Sequence, residues 1–212
     1  MDINAAQVMQ LREKTGAGVM DCKAALAACS GDVEKAVEHL RKTGVLKAAK
    51  KAGRPTGDGL IVSYVHPGSK IAVLVEINCE TDFVARTPQF QAFAKDIAMH
   101  VAAQEPRFVE RECVPAGVLA KEKEIYLEQA RASGKPDKML DRIVEGRVEK
   151  FYGETCLLDQ PFVKNQDITV GDLVKQTIAS FGENVRVRRF VRMKLGEDLP
   201  GAEKSAPDDC GV

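Results

Sequence analysis

What this sequence lacks narrows its function before any motif is read. It lacks a charge imbalance, since thirty-one basic and thirty-one acidic residues cancel. The broad positive field of a dedicated nucleic-acid binder is therefore missing. It lacks any apolar run near the ~18–20 residues that a membrane-spanning helix needs. The start, Met1-Asp2-Ile3-Asn4, has neither the basic segment nor the apolar stretch of a secretory signal. None of its six cysteines (Cys22, Cys29, Cys79, Cys113, Cys156, Cys210) forms a CxxC pair. A chain of 212 residues can bury enough core to need no staples, so reduced thiols in a cytoplasmic compartment are expected. His39, His66 and His100 have no zinc-like spacing to one another or to cysteine. There is no P-loop, GxGxxG or GxSxG, and no internal repeat. These absences predict no metal, no cofactor, no catalytic residue and no membrane, and a protein that acts by docking onto another protein.

What is present reads as α+β. Residues 1–45 form three short helices. Asn4 and Gln7 fit a loose capping box, Ala5, Val8, Met9 and Leu11 give the first apolar stripe, and Thr15-Gly16-Ala17-Gly18 breaks it. The second helix carries Met20, Cys22, Ala25, Leu26 and Cys29. Asp32 caps the third, where Val33, Ala36, Val37 and Leu40 repeat at helical spacing. Residues 46–58 read as a basic linker (Lys47, Lys50, Lys51, Arg54) ending in Pro55 and Gly57.

A core at 59–195 follows. Residues 60–66 and 71–78 form a β-hairpin about Pro67-Gly68-Ser69. Thr87-Pro88 starts an amphipathic helix bearing Phe90, Phe93, Ala94, Ile97, Ala98 and Val101, which covers the hairpin. Residues 117–133 and 136–152 make two charged helices hinged at Ser133-Gly134-Lys135-Pro136, so an inserted helical hairpin spans about 117–152. Residues 153–168 read as irregular. Thr169 and Asp172 cap another helix, and a last strand follows Gly182. Its odd positions (Val185, Val187, Val191, Met193, Leu195) share the apolar face, and Arg186, Arg188, Arg192 and Lys194 share the other. Residues 196–212 are a polar tail in which Cys210 offers a crosslink between two copies.

The most informative stretch is Asn78-Cys79-Glu80-Thr81-Asp82-Phe83-Val84-Ala85-Arg86, a strand-to-helix connection of the kind that often carries function. An aromatic beside an aspartate admits two readings. Phe83 packs beneath the hairpin while Asp82 makes a local turn bond, as buried aromatics commonly do. Alternatively, the ring is held outward for a partner. Cys79 as a nucleophile lacks a neighbouring base. The basic stretches 47–54 and 186–194 either touch phosphates or serve as solvated edges.

Leu11-Arg12, then Thr15-Gly16-Ala17-Gly18-Val19-Met20-Asp21-Cys22-Lys23, then Ala25-Leu26 and Gly31-Asp32 resemble the N-terminal signature of the translation elongation factor Ts family. Thr81-Asp82-Phe83-Val84-Ala85 resembles its second signature, and Gln160-Pro161-Phe162-Val163 also matches. The resemblance covers roughly residues 1–195. It implies guanine nucleotide exchange on the GTPase elongation factor Tu, with no direct nucleic-acid contact. It implies a ubiquitin-associated-like domain at 1–45 whose Arg12, Val19, Met20 and Lys23 grip the GTPase, with Val19 replacing a methionine common in the family. It implies that Thr81, Asp82, Phe83 and Val84 enter near the GTPase's Mg²⁺ site, and that the helical hairpin is the family's coiled coil. The chain has room for one core lobe where longer members have two. Self-pairing into a homodimer and a 2:2 complex follows as an expectation. His66 matches a histidine-bearing turn of the second lobe in long members and is a weaker contact candidate.

Overall fold

Asn4 begins the first helix by accepting the Ala6 N–H at 3.1 Å, while its own N–H reaches the Gln7 side chain at 3.3 Å. The computed structural model describes residues 3–197 apart from Lys135. Helix α1 (Ala5–Thr15) stops at Gly16, whose φ of 66° is a left-handed cap that favours glycine. Helices α2 (Val19–Ala28) and α3 (Val33–Lys51) complete a three-helix module around Val8, Leu11, Cys22, Ala25, Leu26 and Ala36. Asp32 caps α3 by accepting the Glu34 and Lys35 N–H groups at 3.0 Å each.

Helix α3 does not end near residue 45 as expected; it continues through the first six residues of the predicted linker to Lys51. Gly44 costs a helix only about 1 kcal/mol relative to alanine, and no proline follows until Pro55. The added turns reach the second core, where Ala48 is buried with Val170, Val174 and Ile178.

Strands β1 (Asp58–Val65) and β2 (Ile71–Cys79) form the predicted hairpin, and β5 (Val185–Lys194) pairs with β2 to give the antiparallel order β1-β2-β5. Helices α5 (Pro88–Gln104) and α8 (Val170–Phe181) cover one sheet face, burying Val73, Val75, Ile77, Cys79, Val185 and Val187. Thr87 and Thr169 cap these helices through their hydroxyls at 3.2 and 3.0 Å.

The single-face reading of the last strand is corrected. Glu76 pairs with Arg189 but Ile77 with Val187, so Arg188 is a bulge residue. A bulge reverses side-chain parity beyond it. Phe190 and Arg192 therefore turn inward, while Val191 and Met193 lie with Ile61, Val65 and Leu74 on the face that, among the described residues, no helix covers. The arginines are paired: Arg188 and Arg189 with Glu76, Arg186 with Glu110, and Arg192 with Glu105 and Glu197.

Helices α6 (Ala116–Ala132) and α7 (Asp137–Thr155) form a helical hairpin. At its base the Arg111 guanidinium lies 4.7 Å over the Tyr152 ring and bonds Asp159 and Glu149. The segment 153–168 is not irregular: α7 occupies its start, and β3 (Pro161–Phe162) pairs with β4 (Asn165–Thr169). Strands of two and five residues leave too short an alternation to read. Beside them His100 is fully buried, its Nε2 3.0 Å from Gln160 Oε1 and its Nδ1 accepting the Val163 N–H at 3.1 Å. The polar tail beyond residue 197, with Cys210, lies outside the described residues.

Candidate protein-docking site

Strand β2 ends in Cys79, whose buried thiol donates to the Thr81 carbonyl at 3.1 Å. Burial, and then the negative charge of Glu183, push that thiol's pKa up. A sealed, proton-retaining thiol cannot act as a nucleophile, so that alternative is set aside.

After Thr81 the chain makes a one-turn helix, α4 (Asp82–Ala85). Ala85 is buried and Val84 packs on the main core, which fixes the inward side of the turn. Residues one and two places earlier then point away. Phe83 is 79% exposed, and Asp82 beside it holds Arg86 at 2.8 Å on the surface. The reading in which Phe83 packs beneath the hairpin is thus corrected: Val84 and Ala85 take the inward positions. Thr87 closes the turn by donating its hydroxyl to the Val84 carbonyl at 2.8 Å.

The opening side of the turn is held from far away in sequence. Thr81 donates its hydroxyl to Glu183 Oε1 at 2.6 Å and its N–H to Oε2 at 3.0 Å. Asn184 donates its N–H to Glu80 at 2.6 Å, and its side chain to the Arg54 and Ala52 carbonyls at 2.8 and 3.3 Å. Gly182, at φ 74°, reverses the chain after α8 and delivers both residues. None of this framework was anticipated. Glu183 is 102 positions from Thr81, and only Gly182 marked the place.

The remaining predicted residues lie elsewhere. Val19, Met20 and Lys23 are exposed on the outer side of α2, with Met20 76% exposed, while Cys22, Ala25 and Leu26 point inward. Arg12 is exposed on α1. His66 is exposed at the hairpin turn, its Nδ1 3.1 Å from the Tyr64 hydroxyl. Strand β2 separates that turn from Phe83, roughly 25 Å at the ordinary rise per residue. The structure thus joins Asp82 with Phe83, and Val19 with Met20 and Lys23, but does not bring His66 to either group. A cleft of about 370 Å³ between the three-helix module and α8 includes none of them. Among the described residues no cluster of His, Cys, Asp and Glu is arranged to hold a metal, and no helix is long and apolar enough to cross a membrane.

A family model described as Elongation factor TS matches residues 27–197. A curated relative named Elongation factor Ts from Fervidobacterium nodosum is 58% identical over 197 residues, covering 93% of this chain and all of the relative. Proteins of the same name from Geobacter sulfurreducens and Heliobacterium modesticaldum are 57% and 55% identical. Those two alignments cover 96% and 93% of this chain, and 94% and 92% of the relatives.

Proposed function

The chain belongs to the elongation factor Ts family, and on that premise we propose that it is a guanine nucleotide exchange factor for elongation factor Tu. It carries out no bond-making chemistry and uses no cofactor of its own. It binds the GDP-bound GTPase in the cytoplasm, disturbs the Mg²⁺ and phosphate site, and stabilises the empty form until GTP enters. The observation that carries this reading is Phe83, a large apolar ring left in water beside a carboxylate.

A GTPase holds nucleotide through Mg²⁺ and phosphate contacts. Linkage requires that the factor weaken nucleotide binding by the ratio in which nucleotide weakens the factor. Emptying a strongly filled site by ~10⁴ takes about 5.5 kcal/mol of differential binding. Burying the Phe83 ring in the partner contributes about 1.5–3 kcal/mol. The wedge therefore needs help from Arg12, Val19, Met20 and Lys23 on a ubiquitin-associated-like module, from His66, and from a coiled-coil α6–α7 hairpin. Asp82 adds negative charge beside the Mg²⁺ and has no coordinating role. Thr81 and Val84 contribute by holding the turn.

The factor pairs with a second copy through the uncovered sheet face, giving a 2:2 complex with the GTPase. In support, Leu74 lies directly opposite Val191, and Ala72 opposite Met193, so the exposed apolar side chains form one patch. A one-lobed factor has this face to offer where longer members carry more core.

The test is to mix the protein with elongation factor Tu loaded with fluorescent GDP and follow its loss by stopped flow. Catalytic amounts should accelerate release. A module that only recognises peptides or ubiquitin-like domains would bind without changing release, and that result refutes the exchange reading.

A further inference from the structure

We infer that Glu183 is a positioning residue for exchange: its carboxylate clamps Thr81 so that the Asp82–Ala85 turn presents Phe83 outward. The inference rests on the exchange reading above and adds to it a residue outside both family signatures.

A single helical turn does not hold itself. Forming the first turn fixes several residues for one hydrogen bond, which is unfavourable in isolation. A threonine before a helix ordinarily offsets this by turning its hydroxyl onto the first backbone N–H groups. Thr81 occupies that position, yet its side chain makes no cap bond to α4. Its hydroxyl and its N–H both go to the two oxygens of Glu183. Bonds to an ionised acceptor are roughly twice as strong as neutral ones. Two of them from one residue fix both the backbone and the side-chain rotamer of Thr81. The turn therefore depends on an external clamp where a local cap is normal.

The clamp is itself anchored. Asn184 is buried, accepts no compromise in its backbone direction because its N–H is held by Glu80, and bonds the chain just past α3. Lys51 adds a bond to the Gly182 carbonyl from the last turn of α3. The 182–184 turn thus joins the aromatic tip to the long helix of the three-helix module. Without the Glu183 carboxylate, Thr81 loses both bonds that fix the entry to the turn, and the direction of the exposed ring is no longer held.

The experiment uses the full chain with Glu183→Ala, Glu183→Gln and Thr81→Val, each shown to be folded by circular dichroism. In stopped-flow release of fluorescent GDP from elongation factor Tu, Glu183→Ala should lower the saturating rate about tenfold. The half-saturating concentration should stay nearly constant, because the other docking surfaces are intact. Glu183→Gln keeps one acceptor oxygen and should fall between. In a Phe83→Ala background Glu183→Ala should cost nothing more, since it acts through the ring. A wild-type saturating rate for folded Glu183→Ala, or an equal loss in both backgrounds, overturns the assignment. A second readout needs no GTPase. The chain has no tryptophan, so Phe83→Trp gives a lone reporter at the tip. Its acrylamide quenching and anisotropy should both change when Glu183→Ala or Thr81→Val is added. If both stay constant the clamp idea fails, whatever the exchange assay shows. If the wild type does not accelerate release but the reporter responds, the exchange reading falls and the clamp stands.

Discussion

Truncating Phe83 to alanine separates the ring's contribution to the fold from its contribution to the partner. With 79% of the residue in solvent, the free protein loses little, and folding stability should change by less than about 0.5 kcal/mol, as for other surface substitutions. In the proposed complex the same ring would pass from water into a protein environment, worth about 1.5–3 kcal/mol. At 1.36 kcal/mol per factor of ten, the saturating rate of GDP release should fall about 10- to 150-fold. Urea unfolding gives the first quantity and stopped-flow release the second. Phe83→Leu, which keeps most of the apolar volume, should recover much of the rate. A folded Phe83→Ala variant that releases GDP as fast as the parent would refute the wedge. A variant destabilised by more than about 2 kcal/mol would instead mark the ring as part of the protein's own core.

Three other expectations follow from the same geometry. Leu74→Glu places a charge in the centre of the uncovered sheet face and should yield a folded monomer by light scattering where the parent should run as a dimer; a variant that runs as a dimer removes that face as the interface. Iodoacetamide should modify the exposed Cys113 promptly and the buried Cys22, Cys79 and Cys156 only in denaturant, read by mass spectrometry; rapid labelling of Cys79 in the native protein would contradict its burial. Burial holds the His100 imidazole below its ordinary pKa of 6.5, an effect the Gln160 bond only partly offsets. The neutral ring is therefore the folded form, and the unfolded chain takes up the proton first. That contribution to stability is complete above pH 6.5 and is lost as pH falls below it, so the urea midpoint should drop between pH 7 and 5.5. A flat midpoint across that window would show that burial does not hold the His100 ring below its ordinary pKa.

Local chemistry was legible wherever the cause lay within a few residues. Asn4 with Gln7, Asp32, Thr87 before Pro88, and Thr169 each made the predicted cap, and the break before Pro136 separated α6 from α7. What escaped has a distant cause. Helix α3 continues because Ala48, near its end, is buried in the main core with Val170, Val174 and Ile178 of α8, a fact absent from residues 47–51 themselves. The bulge at Arg188 depends on how β5 meets β2, and it moves Val191 and Met193 to the face opposite their apparent stripe. At the site, the residues 78–86 could not decide between an inward and an outward ring. That choice is made by Val84 and Ala85 filling the core and by Glu183 arriving after another hundred residues.

The unbroken rod of α3 has a consequence for how such a chain can vary. Because one end lies in the N-terminal core and the other in the main core, its length sets a phase as well as a distance. Each residue added between Leu40 and Ala48 would advance one end by about 1.5 Å and rotate it by about 100°. Met20 and Phe83 would then be aimed at different sides of any body that must meet both. Insertions here should be felt as misalignment long before they are felt as instability.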